Sequence, residues 1–225
     1  MIDQQPFGDG SEFIDNPEPR CPVVLLLDTS YSMSGAKIAA LNDGLLQFHE
    51  EVASDSLAAK RIELSVVTFG PVTVLSDFGP VTAFEAPTLE PSGNTPMGEA
   101  IVRAAALTRA RKDSYRTGGI DFYRPWLFLI TDGAPTDDVT AAKKTIADGE
   151  RDKAFMFFAV GVEGADMEAL SALSVRAPLM LKGLQFKELF AWLSNSLSKV
   201  SQSRTDEAPA LDNPAAPSGW AVAGE

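Results

Sequence analysis

An open α/β sheet is the fold class this sequence predicts: mostly parallel, doubly wound in the Rossmann manner, with helices on both faces and one antiparallel edge strand. Three observations predict it. First, two strand-length apolar runs, Val23–Asp28 (VVLLLD) and Trp126–Asp132 (WLFLITD), are hydrophobic throughout rather than alternating, as strands buried on both faces are. Second, helical periodicities separate most of the β-like segments, which is the βαβ pattern of a parallel sheet. Third, one connection, Gly70-Pro71, is too short for a crossover and demands a hairpin.

Each element follows in order. Residues 1–20 are polar and acidic, with three prolines and two glycines, and predict an irregular leader. After the first strand, Ile38, Leu41, Leu45, Phe48 and Val52 recur at spacings of three and four, one face of a helix for which Ser34 is a candidate N-cap. Arg61–Phe69 alternates and is β-branched, so it predicts a second strand, and Val72–Phe78 its antiparallel edge partner. A Pro/Gly-rich loop through Pro87, Pro91 and Gly93 leads to Thr95-Pro96, and the alanine-rich segment Met97–Ala110 predicts a helix. Beyond the Trp126 strand come a helix over Val139–Asp152, a strand over Phe155–Val162, a short helix over Met167–Leu173 and a short strand at Leu179–Leu181. The last helix, about Phe186 to Val200, carries Leu189, Phe190, Leu193 and Leu197 on one stripe. From residue 203 the chain is Ala/Pro/Asp/Glu-rich and aperiodic, the composition of a disordered tail. One globular domain, residues 21–202, is therefore expected between two irregular ends. Leu211, Trp220 and Val222 stand out in the tail, where a lone tryptophan serves either as an anchor onto its own domain or a partner, or as part of an inconsequential end.

Composition removes several functions. With 225 residues and 45% hydrophobic content the chain can fill one sizeable core, which excludes wholesale disorder. The formal charge is −12; the two ends supply −4 and −3, leaving −5 for the middle. That sign repels phosphates, and no Lys/Arg stripe opposes it, so no nucleic-acid partner is expected. Cys21 is the single cysteine, which rules out an intrachain disulfide or a thiolate metal cluster and fits a reducing compartment. No basic segment followed by an apolar run opens the chain, and no apolar stretch approaches the roughly 20 residues a membrane helix needs. The expectation is a cytoplasmic protein with no membrane partner.

The chemistry collects at strand ends. Ligands of doubly wound sheets bind beyond the carboxyl ends of the strands, where the connections diverge. Both apolar strands end there on an aspartate beside hydroxyls: Asp28-Thr29-Ser30-Tyr31-Ser32 and Thr131-Asp132-Gly133. Thr95, just ahead of a helix, is expected at the same end. Asp28, Ser30, Ser32, Thr95 and Asp132 form the candidate metal-binding set. Carboxylate and hydroxyl oxygens are hard ligands, suited to Mg²⁺ or Mn²⁺ rather than zinc. Two carboxylates leave such an ion electrophilic, ready for one more anionic ligand such as an Asp or Glu presented by another protein.

With these pieces in order, Asp28-x-Ser30-x-Ser32, Thr95 and Thr131-Asp132-Gly133 resemble the metal-ion-dependent adhesion site of von Willebrand factor A domains, over residues 22 to about 200. The wording LLLDTSYSMSGAKI, SGNTPMGEAI and LITDGAPTDD is similar to the bacterial TerY-like group. That resemblance implies a cytoplasmic interaction module, an adaptor or scaffold in a tellurium-resistance or stress-response system, with a kinase or phosphatase of the same system as candidate partners. Tyr31 departs from the pattern, standing where a glycine is common; a phenol there either contacts a partner or narrows the open coordination position.

Ordinary roles compete for several residues. Ser32 and Ser34 suit a helix cap, and Thr95 before Pro96 is a good N-cap. His49, the single histidine, reads as structural, Cys21 as an inert core residue, and Asp137 and Asp138 as first-turn helix acids. Two other functions remain open. A metal-dependent phosphoryl hydrolase would use a metal-activated water, with Asp28 or Asp132 as base. Against it, Ser30 stands where an aspartyl-nucleophile phosphatase carries its second acid, and GxxxxGK[ST] and GxSxG are absent. The other is a scaffold with a vestigial site. A non-enzymatic binding module is the expected function.

Overall fold

The computed structural model describes residues 16–207 and 209–223, so most of the expected leader, residues 1–15, lies outside the described residues. Among the described residues seven strands form one sheet in the order β3-β2-β1-β4-β5-β6-β7. The strands are β1 (Cys21–Asp28), β2 (Ile62–Phe69), β3 (Thr73–Pro80), β4 (Trp126–Thr131), β5 (Met156–Gly161), β6 (Leu179–Leu181) and β7 (Ala221–Ala223). The helices are α1 (Ala36–Ser54), α2 (Ala58–Arg61), α3 (Met97–Gly118), α4 (Thr140–Arg151), α5 (Met167–Leu173) and α6 (Phe186–Gln202).

The apolar runs became central strands for the reason their composition suggests. β1 lies parallel between β2 and β4, paired along its whole length with β2 (Cys21↔Ile62 to Asp28↔Phe69) and from Val23↔Trp126 to Leu27↔Ile130 with β4. All eight β1 residues are buried. Because side chains alternate across a strand, Val23, Leu25 and Leu27 face one core with α1 and α6, while Val24 and Leu26 face the other with α3, α4 and α5. Both layers are therefore filled from the same strand, which is why its sequence does not alternate. β3 runs antiparallel to β2 at the edge, from Glu63↔Pro80 to Thr68↔Thr73, as the short Gly70-Pro71 connection requires.

Three local expectations are corrected, and one short helix appears that the sequence did not signal. The N-cap position of α1 is Gly35 rather than Ser34; the Ser34 hydroxyl instead donates to the Tyr31 carbonyl at 2.6 Å. α3 continues past Ala110 to Gly118, because Tyr115 anchors its second half from the inside by donating to Glu63 Oε2 at 2.6 Å. α2, too short to show a periodicity, is started by Asp55, whose carboxylate accepts from Leu57 and Ala58 N–H. The third correction is the tail, which is not structureless where it is described. Ala221–Ala223 pairs antiparallel with β6, and Trp220 is buried at 4% exposure with its ring 5.7 Å from that of Trp192. Asp212 helps hold the returning segment: its carbonyl accepts from Trp192 Nε1 at 2.8 Å and its carboxylate pairs with Lys199. The tryptophan anchors onto its own domain. Among the described residues no helix is long and apolar enough to cross a membrane.

Candidate metal centre

The sheet reverses its strand order between β1 and β4: β1 leads leftward to β2, β4 rightward to β5. The crevice beyond these two carboxyl ends is where an open α/β sheet holds ligands. Register sets the first contact there. Leu27 pairs with Ile130, so the following residues Asp28 and Thr131 stand side by side, and the Thr131 hydroxyl donates to Asp28 Oδ2 at 2.5 Å. Ser30 N–H donates to the other oxygen, Oδ1, at 2.8 Å, folding the chain just after β1 back over its own carboxylate.

That fold carries the serines inward. The Ser30 and Ser32 hydroxyls are 2.9 Å apart, and Ser32 donates to Asp132 Oδ1 at 2.6 Å. Residues 31–33 make one 3-10 turn, the geometry that brings Ser30 and Ser32 to the same side. Thr95 arrives on a separate loop, fastened to the β4 exit by paired bonds with Thr136: Thr95 N–H donates to its hydroxyl at 3.1 Å, and Thr136 N–H to the Thr95 carbonyl at 3.0 Å. A Cβ placed on Gly133 would stand 3.5 Å from the Thr95 hydroxyl and 3.9 Å from that of Ser32. The missing side chain thus leaves a small space lined by oxygens from both loops. The structure brings all five sequence-predicted residues to one point.

Two glycines let the loops close. Ser92 N–H donates to the Thr29 carbonyl at 2.6 Å and Tyr31 N–H to the Gly93 carbonyl at 3.2 Å, stitching the Thr95 loop to the serine turn. Gly93 adopts φ +66, a left-handed conformation that costs most residues energy. At Gly70, a Cβ would collide with the Ser92 carbonyl at 2.4 Å and with Thr29.

Charge in the site is unbalanced. Asp28, Ser30, Thr95 and Asp132 are all buried, whereas Ser32 is exposed at the rim. Burial pushes the Asp28 carboxyl above the ordinary aspartate range, against hydrogen bonds from Ser30 and Thr131 that favour its charged form; the neighbouring charge of Asp132 adds to the rise. Among the described residues Asp132 has one cationic partner, Lys37, whose Nζ lies 2.5 Å from Oδ2. Among the described residues no lysine or arginine pairs with Asp28. Two buried carboxylates therefore face one ammonium, which suits the addition of a cation. Among the described residues no group of three or more His, Cys, Asp or Glu could hold a metal ion. Any ion here would rely on hydroxyl oxygens, the donor set suited to Mg²⁺ or Mn²⁺.

Sequence reasoning missed Lys37 and the direct role of Thr131. Thr131 was legible as a hydroxyl beside a strand-end aspartate; Lys37 was hidden because it is 95 residues from Asp132 along the chain. The competing cap role of Thr95 is not realised. Asp137, reaching from the β4 exit, accepts from Gly98 and Glu99 N–H at 3.0 and 2.8 Å and satisfies the start of α3 in its place. Neither acid is a first-turn helix residue: α4 begins at Thr140, and Asp138 lies two residues ahead of it, accepting from Thr140 N–H and its hydroxyl. His49 packs edge-on against Phe84, the structural role expected of it. Tyr31 is 67% exposed, so its phenol stands outside the oxygen cluster at the rim.

Comparison with known proteins extends this picture. The family model described as von Willebrand factor type A domain matches residues 23–179. Among solved structures, the pilus adhesin SpaC from Lactobacillus rhamnosus GG, in its open conformation, is similar at TM-score 0.63 and 13% identity; the match covers 83% of this chain and 31% of that one. Proximal thread matrix protein 1 from the mussel byssus is similar at TM-score 0.56 and 14% identity, with 81% of this chain and 49% of that one covered. At such identities these likenesses show the fold alone, and the chain spans less than half the length of either structure. No curated protein matches the chain.

Proposed function

From the premise that this chain belongs to the von Willebrand factor type A domain family, whose members are often protein-interaction or adhesion modules, we propose that it is a metal-dependent protein-interaction module. The observation that carries this reading is the convergence of two buried strand-end carboxylates and three hydroxyls from two loops, with a single ammonium among the described residues to balance them. Asp28, Ser30, Ser32, Thr95 and Asp132 would hold Mg²⁺ or Mn²⁺. When bound, the ion supplies a coordination position for a partner's Asp or Glu carboxylate.

The chain's own residues do the rest. Thr131 and Ser30 N–H hold Asp28 in one orientation, and Ser32 does the same for Asp132, so the donors need little rearrangement on binding. Tyr31, exposed beside the opening, offers a partner an aromatic surface rather than plugging the site. Nothing in the arrangement supplies a second acid–base pair for hydrolysis: His49 is committed to Phe84, and the site's titratable groups are two aspartates and Lys37. Binding is therefore favoured over phosphoryl hydrolysis. The resemblance of LLLDTSYSMSGAKI, SGNTPMGEAI and LITDGAPTDD to the TerY-like group is the ground for a finer reading, a cytoplasmic adaptor in a tellurium-resistance or stress system that engages a kinase or phosphatase of that system.

The test is calorimetric titration of Mg²⁺ and Mn²⁺ into wild type and Asp28→Ala, followed by partner capture with and without chelator. Binding is expected for wild type and abolished by the substitution, and capture is expected to require the ion. Partner capture indifferent to chelator overturns the metal-bridged mechanism; phosphatase turnover lost in Asp28→Ala would make the chain an enzyme instead.

A further inference from the structure

We infer that Lys37 is a built-in counter-charge of this site, one that weakens binding of the bare divalent ion and directs the loaded site toward an anionic partner group. The inference rests on the metal reading above. Lys37 lies in the first turn of α1, five residues past Ser32, and its Nζ reaches Asp132 Oδ2 at 2.5 Å. The Asp132 side chain is wholly buried, while that of Lys37 keeps a quarter of its surface in solvent. The loop after β5 closes on the ammonium: a Cβ on Gly164, whose φ of +100 already favours glycine, would stand 3.7 Å from Nζ. The lysine is thus seated against Asp132 rather than waving above it.

Its placement is selective. Asp132 gives one oxygen to Ser32 and the other to Lys37, whereas both oxygens of Asp28 are held by uncharged donors. Only one of the two carboxylates is therefore shared with a fixed cation. Two carboxylates and one ammonium leave the site with a single net negative charge, and a divalent ion turns that into a single positive one. Without Lys37 the loaded site would be neutral. Two consequences follow from Coulomb's law. Like charges around Asp132 penalise the bare ion, and a partner carboxylate relieves the penalty, so ion and anion each favour the other's binding. A neutral loaded site would hold the same anion less tightly, so a given concentration of carboxylate would strengthen ion binding less.

The experiment is calorimetry of Mn²⁺ into the full chain as wild type, Lys37→Met, Lys37→Arg and Asp28→Ala. Each titration is run in chloride and in acetate at equal ionic strength, acetate being the minimal carboxylate probe. Thermal melting of each variant reports folding independently. Lys37→Met is expected to bind Mn²⁺ about tenfold more tightly than wild type, as removal of a unit charge one carboxylate away from a divalent ion should allow. Lys37→Arg is expected to stay within about twofold, since its charge is retained. Acetate is expected to tighten Mn²⁺ binding more in wild type than in Lys37→Met. Equal or weaker Mn²⁺ binding by a folded Lys37→Met, or equal acetate effects in the two proteins, overturns the role of Lys37. Should Lys37→Met not fold, Lys37→Gln is read by the same criteria. Loss of binding in Asp28→Ala alone leaves the metal reading standing when the Lys37 inference fails; no binding in wild type or any variant overturns both.

Discussion

Replacing Trp220 with alanine is expected to destabilise the domain by about 2–3 kcal/mol, although the residue lies in a segment whose composition reads as structureless. Truncating a buried tryptophan generally costs about 3–5 kcal/mol in lost burial and contacts. Here the ring is 4% exposed and meets Trp192 edge-on at 5.7 Å, so the upper part of that range is the starting point. One opposing effect lowers it. Among the described residues the Trp220 Nε1–H is buried with no hydrogen-bond partner, and removing an unsatisfied donor returns about 2 kcal/mol. For a domain of this size the net loss corresponds to a fall in Tm of about 5–10 °C. Urea unfolding followed by far-UV circular dichroism gives the free energy, and thermal melting the Tm. Trp220→Phe should cost less than Trp220→Ala because it keeps most of the apolar area and deletes the unpaired N–H. Val222→Ser, at a half-exposed position of β7, should change stability by about 0.5 kcal/mol or less. If Trp220→Ala matched wild type within about 0.5 kcal/mol, the tail would not be docked on the sheet edge and the reasoning would fail.

Three further outcomes can be measured directly. Glu150 accepts from Arg124, Arg176 and Phe157 N–H; despite burial, which raises its pKa, the hydrogen bonds from Arg176 and Phe157 and the two guanidinium charges hold it below the ordinary glutamate value. A lowered folded pKa means stability present above the unfolded value, near 4.3, and lost as pH falls through the folded one; Glu150→Gln should cost about 1–2 kcal/mol at pH 7, with the gap to wild type closing in unfolding curves below about pH 4. Burial pushes the Cys21 thiol up to about 12, so it should resist a thiol-reactive disulfide reagent at pH 8 and react fully once urea unfolds the chain. Asp137→Ala should cost about 1–2 kcal/mol by stripping the start of α3 of two hydrogen bonds, and should weaken Mn²⁺ binding because Thr95 precedes that helix; unchanged affinity would show that the cap does not position Thr95.

Most of the candidate site is legible in the sequence. Asp28 and Asp132 announce themselves because an apolar run that stops on a carboxylate marks where a buried strand meets solvent. Ser30 and Ser32 were readable as companions because short spacing limits where they can go. Thr95 was less secure, since a threonine before Pro96 suits a cap equally well; what decides between the two readings is Asp137, which takes the capping role from another loop. Lys37 could not be found by pattern at all. On α1 it flanks the stripe of Ile38, Leu41 and Leu45, one turn before Leu41, like many a solvated lysine at the edge of an apolar face, and its partner is known only once β1 and β4 are adjacent.

By itself the sequence determined what depends on neighbours along the chain: which of the longer segments are strands or helices, the two-sided burial of β1 and β4, the antiparallel turn at Gly70-Pro71, and the hard-oxygen character of the candidate site. Periodicity and side-chain chemistry are local properties, so they survive without tertiary information. Only the tertiary structure decided which groups meet across long loops: the ion pair of Lys37 with Asp132, the capping of α3 by Asp137, the anchoring of α3 by Tyr115 on Glu63, and the return of Trp220 and β7 to the edge of β6. Those contacts depend on strand order and on register, in which a one-residue shift sends each side chain to the opposite face. Their geometry is set by the packed sheet as a whole, and no short stretch of the chain contains it.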